Sequence, residues 1–77
     1  MKFEYLVVFF EKFRLPTDKA AIWHPINVGG KALPAEEQKK TLYAFINELG
    51  LEGWESGWGW RAGNYQQWTL KRLLPKG

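Results

Sequence analysis

The stretch N-E-L-G-L-E-G-W-E from Asn47 to Glu55 constrains the fold more than any other part of this chain, because an amphipathic helix stops in it and a strand begins. Upstream, Leu42, Phe45, Ile46 and Leu49 recur at i, i+3, i+4 and i+7 and make one apolar stripe. Pro34 suits a first helical position, where its missing N–H costs nothing. Glu36 and Glu37 follow in the first turn, at the positive end of the dipole. The pattern predicts a helix over 34–49, with Gly50 as the residue past its end at positive φ and Leu51 making the hydrophobic contact of a Schellman ending. Gly53 then lets the chain turn, and Trp54 drops between helix and sheet.

Three strands are expected around that helix. Residues 2–10 are β-branched and aromatic without Gly or Pro. Both faces of this first strand, Phe3/Tyr5/Val7/Phe9 and Leu6/Val8/Phe10, are apolar, where a half-exposed antiparallel strand would alternate. A second strand covers 54–61, with Trp54, Trp58 and Trp60 on one parity and Gly57 and Gly59 on the other. Ala62-Gly63-Asn64 is a turn. A third strand covers 65–74 and is ended by Pro75. Residues 11–33 carry Pro16, Pro25 and Gly29-Gly30, which predicts a long irregular loop of the sort that is functional or mobile. The expected fold is α+β in the order β-α-β-β. It is one domain, with a three-stranded antiparallel sheet, the first strand beside the third, and one helix on one face.

Size sharpens the consequence. A chain of 77 residues has a marginal core alone, and such domains add disulfides, metal or subunits. There is no Cys and only one His, so disulfides and thiolate sites are excluded and no metal or cofactor is expected. Five Trp, five Phe and three Tyr are more apolar surface than one thin core hides. A homo-oligomer is therefore expected, joined through an uncovered sheet face carrying Leu6, Val8, Phe10, Trp58 and Trp60. The apolar run Tyr5 to Phe10 is flanked by Glu4 and Glu11 and is too short for a secretory core or a membrane span. The expectation is a soluble, cytoplasmic protein with no membrane partner.

Three pieces of the chain resemble a known family. Phe3-Glu4-Tyr5-Leu6-Val7-Val8, the run Ile46 to Glu55 (I-N-E-L-G-L-E-G-W-E) and Leu70-Lys71-Arg72 are similar to the W-E-Y-K-V-V, L-N-x-L-G-x-E-G-W-E and F-K-R segments of small bacterial and phage proteins of domain-of-unknown-function family four-one-seven-seven. The resemblance covers about half the chain. It implies a β-α-β-β fold and implies no catalytic residues.

Candidate chemistry is sparse. His24, in Trp23-His24-Pro25, is the one side chain that titrates near neutral pH unperturbed. General base work would need a nucleophile or an orienting acid beside it, and no spacing rule joins it to Asp18. Asn27 to Lys31 (N-V-G-G-K) lacks the phosphate-loop spacing and is expected to be a plain turn. No catalytic residue is assigned, and the chain is expected not to be an enzyme. Binding candidates are Trp23 and His24 in the loop and Trp58, Trp60, Arg61, Tyr65 and Lys71 on the hairpin, for a protein or small-ligand partner. The alternative is single-stranded nucleic acid or a nucleotide, with bases stacked on the aromatics and phosphates met by Arg61, Lys71 and Arg72. The net charge of +3 is mild and reads as solubility, with an electrostatic footprint for nucleic acid as the alternative.

Overall fold

A computed structural model describes residues 2–74. The elements are β1 (Phe3–Phe13), β2 (Ile22–Val28), β3 (Lys31–Ala32), α1 (Ala35–Gln38), α2 (Leu42–Leu51), β4 (Glu55–Ala62) and β5 (Tyr65–Leu73). They form one five-stranded sheet in the order β3-β2-β1-β5-β4, antiparallel at every pairing. The first strand does pair with the last, from Phe3 opposite Leu73 to Glu11 opposite Tyr65. The three-stranded sheet with one helix and a long loop is overturned. Glu11, Lys12 and Phe13 extend β1, and within the expected loop over 11–33 residues 22–28 and 31–32 are strands β2 and β3.

Pro25 hid β2. Proline forfeits a ladder hydrogen bond and is confined to edges and bulges. Here it lies opposite Phe10, where the β1–β2 register already shifts between Phe9 and Phe10. On its other side β3 pairs only with Asn27 and Val28. The missing N–H therefore falls where the ladder is already interrupted, and the ring is fully buried.

The expected single helix over 34–49 is two helices. Thr41 has extended backbone (φ −79°, ψ 160°), and its Oγ1 accepts the Ala44 N–H at 3.2 Å, so it caps α2 and breaks the chain from α1. The far end also differs from expectation. Gly50 lies inside α2, and Gly53 takes the positive φ, at 91°. The Trp54 N–H donates to the Leu49 carbonyl at 3.1 Å and the Gly53 N–H to the Gly50 carbonyl at 3.0 Å. That pair is a Schellman ending, shifted three residues along from Gly50. The shift places Trp54 just past the end, where it packs against the core.

The core lies between the sheet and α2. Val8, Phe10 and Leu70 meet Leu42 and Phe45, with Leu6, Ile46, Leu49, Trp54 and Trp68 around them. Phe10 meets Phe45 edge-on at 6.3 Å and Trp68 at 6.1 Å. Each fully buried side chain of this kind stabilises by about 1.5–3 kcal/mol. This corrects the expected association face. Val8 and Phe10 are fully buried within one copy and Leu6 packs beside them, so none of the three is on open surface.

Candidate functional site

The back of the sheet is built by register. Residues directly opposite one another on neighbouring strands share a face. Tyr5, Lys71 and Glu55 form one row, Val7, Thr69 and Trp58 the next, and Phe9, Gln67 and Trp60 the third. Tyr65 and Ala62 continue the face opposite Glu11. The alternate rows, with Leu6 and Leu70, then Val8, Trp68 and Gly59, look toward the core.

Gly57 decides which tryptophans go where. The β4–β5 register slips between Ser56 and Trp58, so Gly57 is an extra, bulged residue. A Cβ there would stand 2.6 Å from the Thr69 carbonyl oxygen, which only glycine avoids. The bulge reverses the parity of everything after it. Trp54 therefore packs against the core, while Trp58 and Trp60 turn to the back. The expectation that all three share one face is corrected by that single inserted residue.

The back face is open and aromatic. Trp58 is 64% exposed, Tyr5 58%, Trp60 51% and Tyr65 50%. Tyr5 and Trp58 lie 6.4 Å apart at 57°. The Trp60 Nε1–H donates to Gln67 Oε1 at 3.1 Å, which fixes the indole across the strands. Charge on this face is low. Lys71 sits over the Phe3 ring at 5.0 Å and lies in register with Glu55. Arg61 falls in the row of Gln66 and Phe10, on the opposite side of the sheet. Arg72 is also on the core side. It pairs with Glu4 and lies 4.2 Å over the Trp54 ring.

The loop candidates do not join this surface. His24 is fully buried on β2, opposite Glu11 and two strands away from Tyr65. Its Nε2 lies 2.9 Å from Asp18 Oδ2, its Nδ1 lies 2.9 Å from the Lys40 carbonyl oxygen, and the Phe13 ring covers it at 4.6 Å. Both ring nitrogens thus face an oxygen of the fold, one a carboxylate and one a main-chain carbonyl. The Leu15 N–H holds the Asp18 carboxyl below its ordinary value; burial opposes this, and the His24 hydrogen bond and the Arg14 charge assist it. The Lys40 carbonyl is free to accept because Thr41 has broken the helix there. His24 thus ties the segment after β1 to the junction of the two helices. Both of its nitrogens are engaged inside the fold and the ring is fully buried, so neither is presented at the surface. Trp23 is half-buried against the core and lines a shallow apolar groove with Ile22 and Tyr43.

Of the expected binding residues, the fold gathers Trp58, Trp60, Tyr65 and Lys71 on one face, turns Arg61 to the other, and leaves Trp23 and His24 elsewhere. Tyr5, Val7 and Phe9 belong to the surface and were not singled out. The polar alternation of Gln67, Thr69 and Lys71 on β5, read across to β1, is the signal that marks their side as the open one. Among the described residues no group of three or more His, Cys, Asp or Glu could hold a metal ion, and no helix is long and apolar enough to cross a membrane. Comparison with protein families, with curated proteins and with solved structures finds nothing that matches this chain.

Proposed function

We propose that this protein is a non-enzymatic assembly module whose copies associate through the open aromatic back of the sheet. The observation that carries the proposal is the contiguous group of Tyr5, Trp58 and Trp60, each more than half exposed on a face with little charge. A sheet with an apolar face requires a second layer, ~10 Å away. The third dimension of the molecule, 19 Å, is that of one sheet with one layer of helix. Its other two, 45 and 24 Å, span a face larger than the ~800 Å² that each partner contributes to a standard interface. A second copy brings the same low-charge aromatic surface, and Trp and Tyr are the residues that anchor such contacts.

Single-stranded nucleic acid is the second reading, favoured by Trp58, Trp60 and Tyr65 beside Lys71. It is weaker because Glu55 stands in register with Lys71 and Arg61 is on the far side, which leaves little to neutralise phosphates. Tryptophan fluorescence separates the two. Self-association predicts that acrylamide quenching falls as protein concentration rises, with no response to oligonucleotide. Quenching that is independent of concentration, or a salt-sensitive response to oligonucleotide, would overturn the proposal.

A further inference from the structure

Strand β4 ends the sheet, and nothing among the described residues pairs with its outer side. All eight of its residues are exposed. An unpaired edge is a template for another strand, and proteins guard such edges with Lys, Pro or bulges. The bulge at Gly57 guards only the start. From Trp58 to Ala62 the register with β5 is regular, and this stretch (W-G-W-R-A) has neither Lys nor Pro.

We infer that β4 pairs antiparallel with β4 of a second copy, about a two-fold axis at Trp60. The inference rests on the self-association reading and adds to it a second interface. Side-chain sizes select the axis. Centred on Trp60, the pairing sets Trp58 opposite the partner's Ala62, Arg61 opposite the partner's Gly59, and the two Trp60 indoles together. On either side of the axis large residues meet small ones, and the bulged Gly57 lies outside the paired stretch. An axis at Gly59 would press the bulge against Arg61.

The groove beside this edge fits the same partner. It holds about 410 Å³ and is lined by Gly57, Gly59, Arg61, Gln66 and Trp68 among others. Trp68 lies directly under Gly59, whose missing Cβ would be 3.4 Å from the indole. The partner's Arg61, placed over Gly59, reaches that indole as a cation over a ring. The molecule already uses this contact where Arg72 lies over Trp54. Edge pairing keeps the aromatic backs of both copies on one side and joins them. Its axis is normal to the sheet, whereas that of face packing lies in the plane, so the two interfaces are compatible and close at four copies where the axes intersect.

The chain has no cysteine, so a single introduced thiol reports cleanly. Facing residues in an antiparallel pair have Cα atoms ~4.5–5.5 Å apart, within disulfide range. Trp60→Cys is expected to oxidise to a covalent dimer. Ser56→Cys is expected not to, because its copies would lie ~26 Å apart at ~3.3 Å per residue. In the wild type, outward amides of residues 58–62 are expected to exchange at least about tenfold more slowly at high protein concentration than at low. If the wild type associates but these amides stay unprotected, edge pairing is overturned whether or not the thiols cross-link, and face packing stands. If cross-linking at position 60 is no faster than at position 56, the axis is overturned. A wild type that never associates overturns this inference and the reading beneath it.

Discussion

The two glycines at the end of α2 give opposite predictions for one substitution. Gly50 is inside the helix without positive φ, and nothing lies within 4 Å of where its Cβ would be. Gly50→Ala therefore adds no clash and removes the backbone entropy of glycine, which stabilises by about 0.5–1 kcal/mol. Gly53 has φ of 91°, with its Cβ position 3.5 Å from Arg72 Cδ, an ordinary contact. Space is not the obstacle there. Conformation is, and Gly53→Ala costs about 1–2 kcal/mol. The two variants should differ by about 2 kcal/mol, which for a domain of this size is roughly 8–16 °C in Tm. Urea unfolding at matched protein concentration reads this directly, because association would otherwise shift each midpoint. Had the helix ended at Gly50, as its sequence position suggests, the signs would be reversed. Destabilisation by Gly50→Ala, or a neutral Gly53→Ala, would refute the Schellman ending at Gly53 and the placement of Trp54 that depends on it.

Thr41→Ala should cost about 0.5–2 kcal/mol in urea unfolding through loss of the α2 cap, with Thr41→Ser restoring most of it. The Asp18 carboxyl is held below its ordinary value of 3.8 in the fold, so its contribution is complete above that pH and disappears as pH falls through the lower folded value. Acid unfolding of Asp18→Asn should lack that part of the wild-type dependence below about pH 4, and identical acid limbs would contradict the hold of Leu15 and His24 on the Asp18 carboxylate. Phe10→Ala should cost about 3–5 kcal/mol, while Trp58→Ser should leave the stability of the dilute protein within about 0.5 kcal/mol of wild type. Equal losses in chemical unfolding would show that Trp58 is a core residue and not a surface one.

The parts of the fold that declared themselves in the sequence are those with local signals. Leu42, Phe45, Ile46 and Leu49 face the core as their spacing requires, and the turn at Gly63 joins β4 to β5. What stayed hidden depended on context beyond the local pattern. Pro25 argues against a strand unless it is known that its neighbours leave its N–H position unpaired. Val28-Gly29-Gly30-Lys31 is a two-residue hairpin signal, but its first strand was masked by that proline. The break at Thr41 frees the Lys40 carbonyl for His24, sixteen positions before Lys40, a contact that no local pattern shows. The candidate surface was half legible. Trp58 and Trp60 stood out by type, yet one bulged glycine decided their face. The strand opposite them had two apolar sides, and only its register with β5 showed which one α2 covers.

Sedimentation equilibrium over a wide range of protein concentration, with Trp58→Glu beside the wild type, decides whether the aromatic back of the sheet joins copies of the chain. The wild type should show a mass that rises to a multiple of the 9.0 kDa chain, and the variant, folded by circular dichroism, should stay nearer one chain at the same concentrations. A wild-type mass of one chain throughout would mean that the aromatic back of the sheet is stable in water uncovered, and association through it would be excluded.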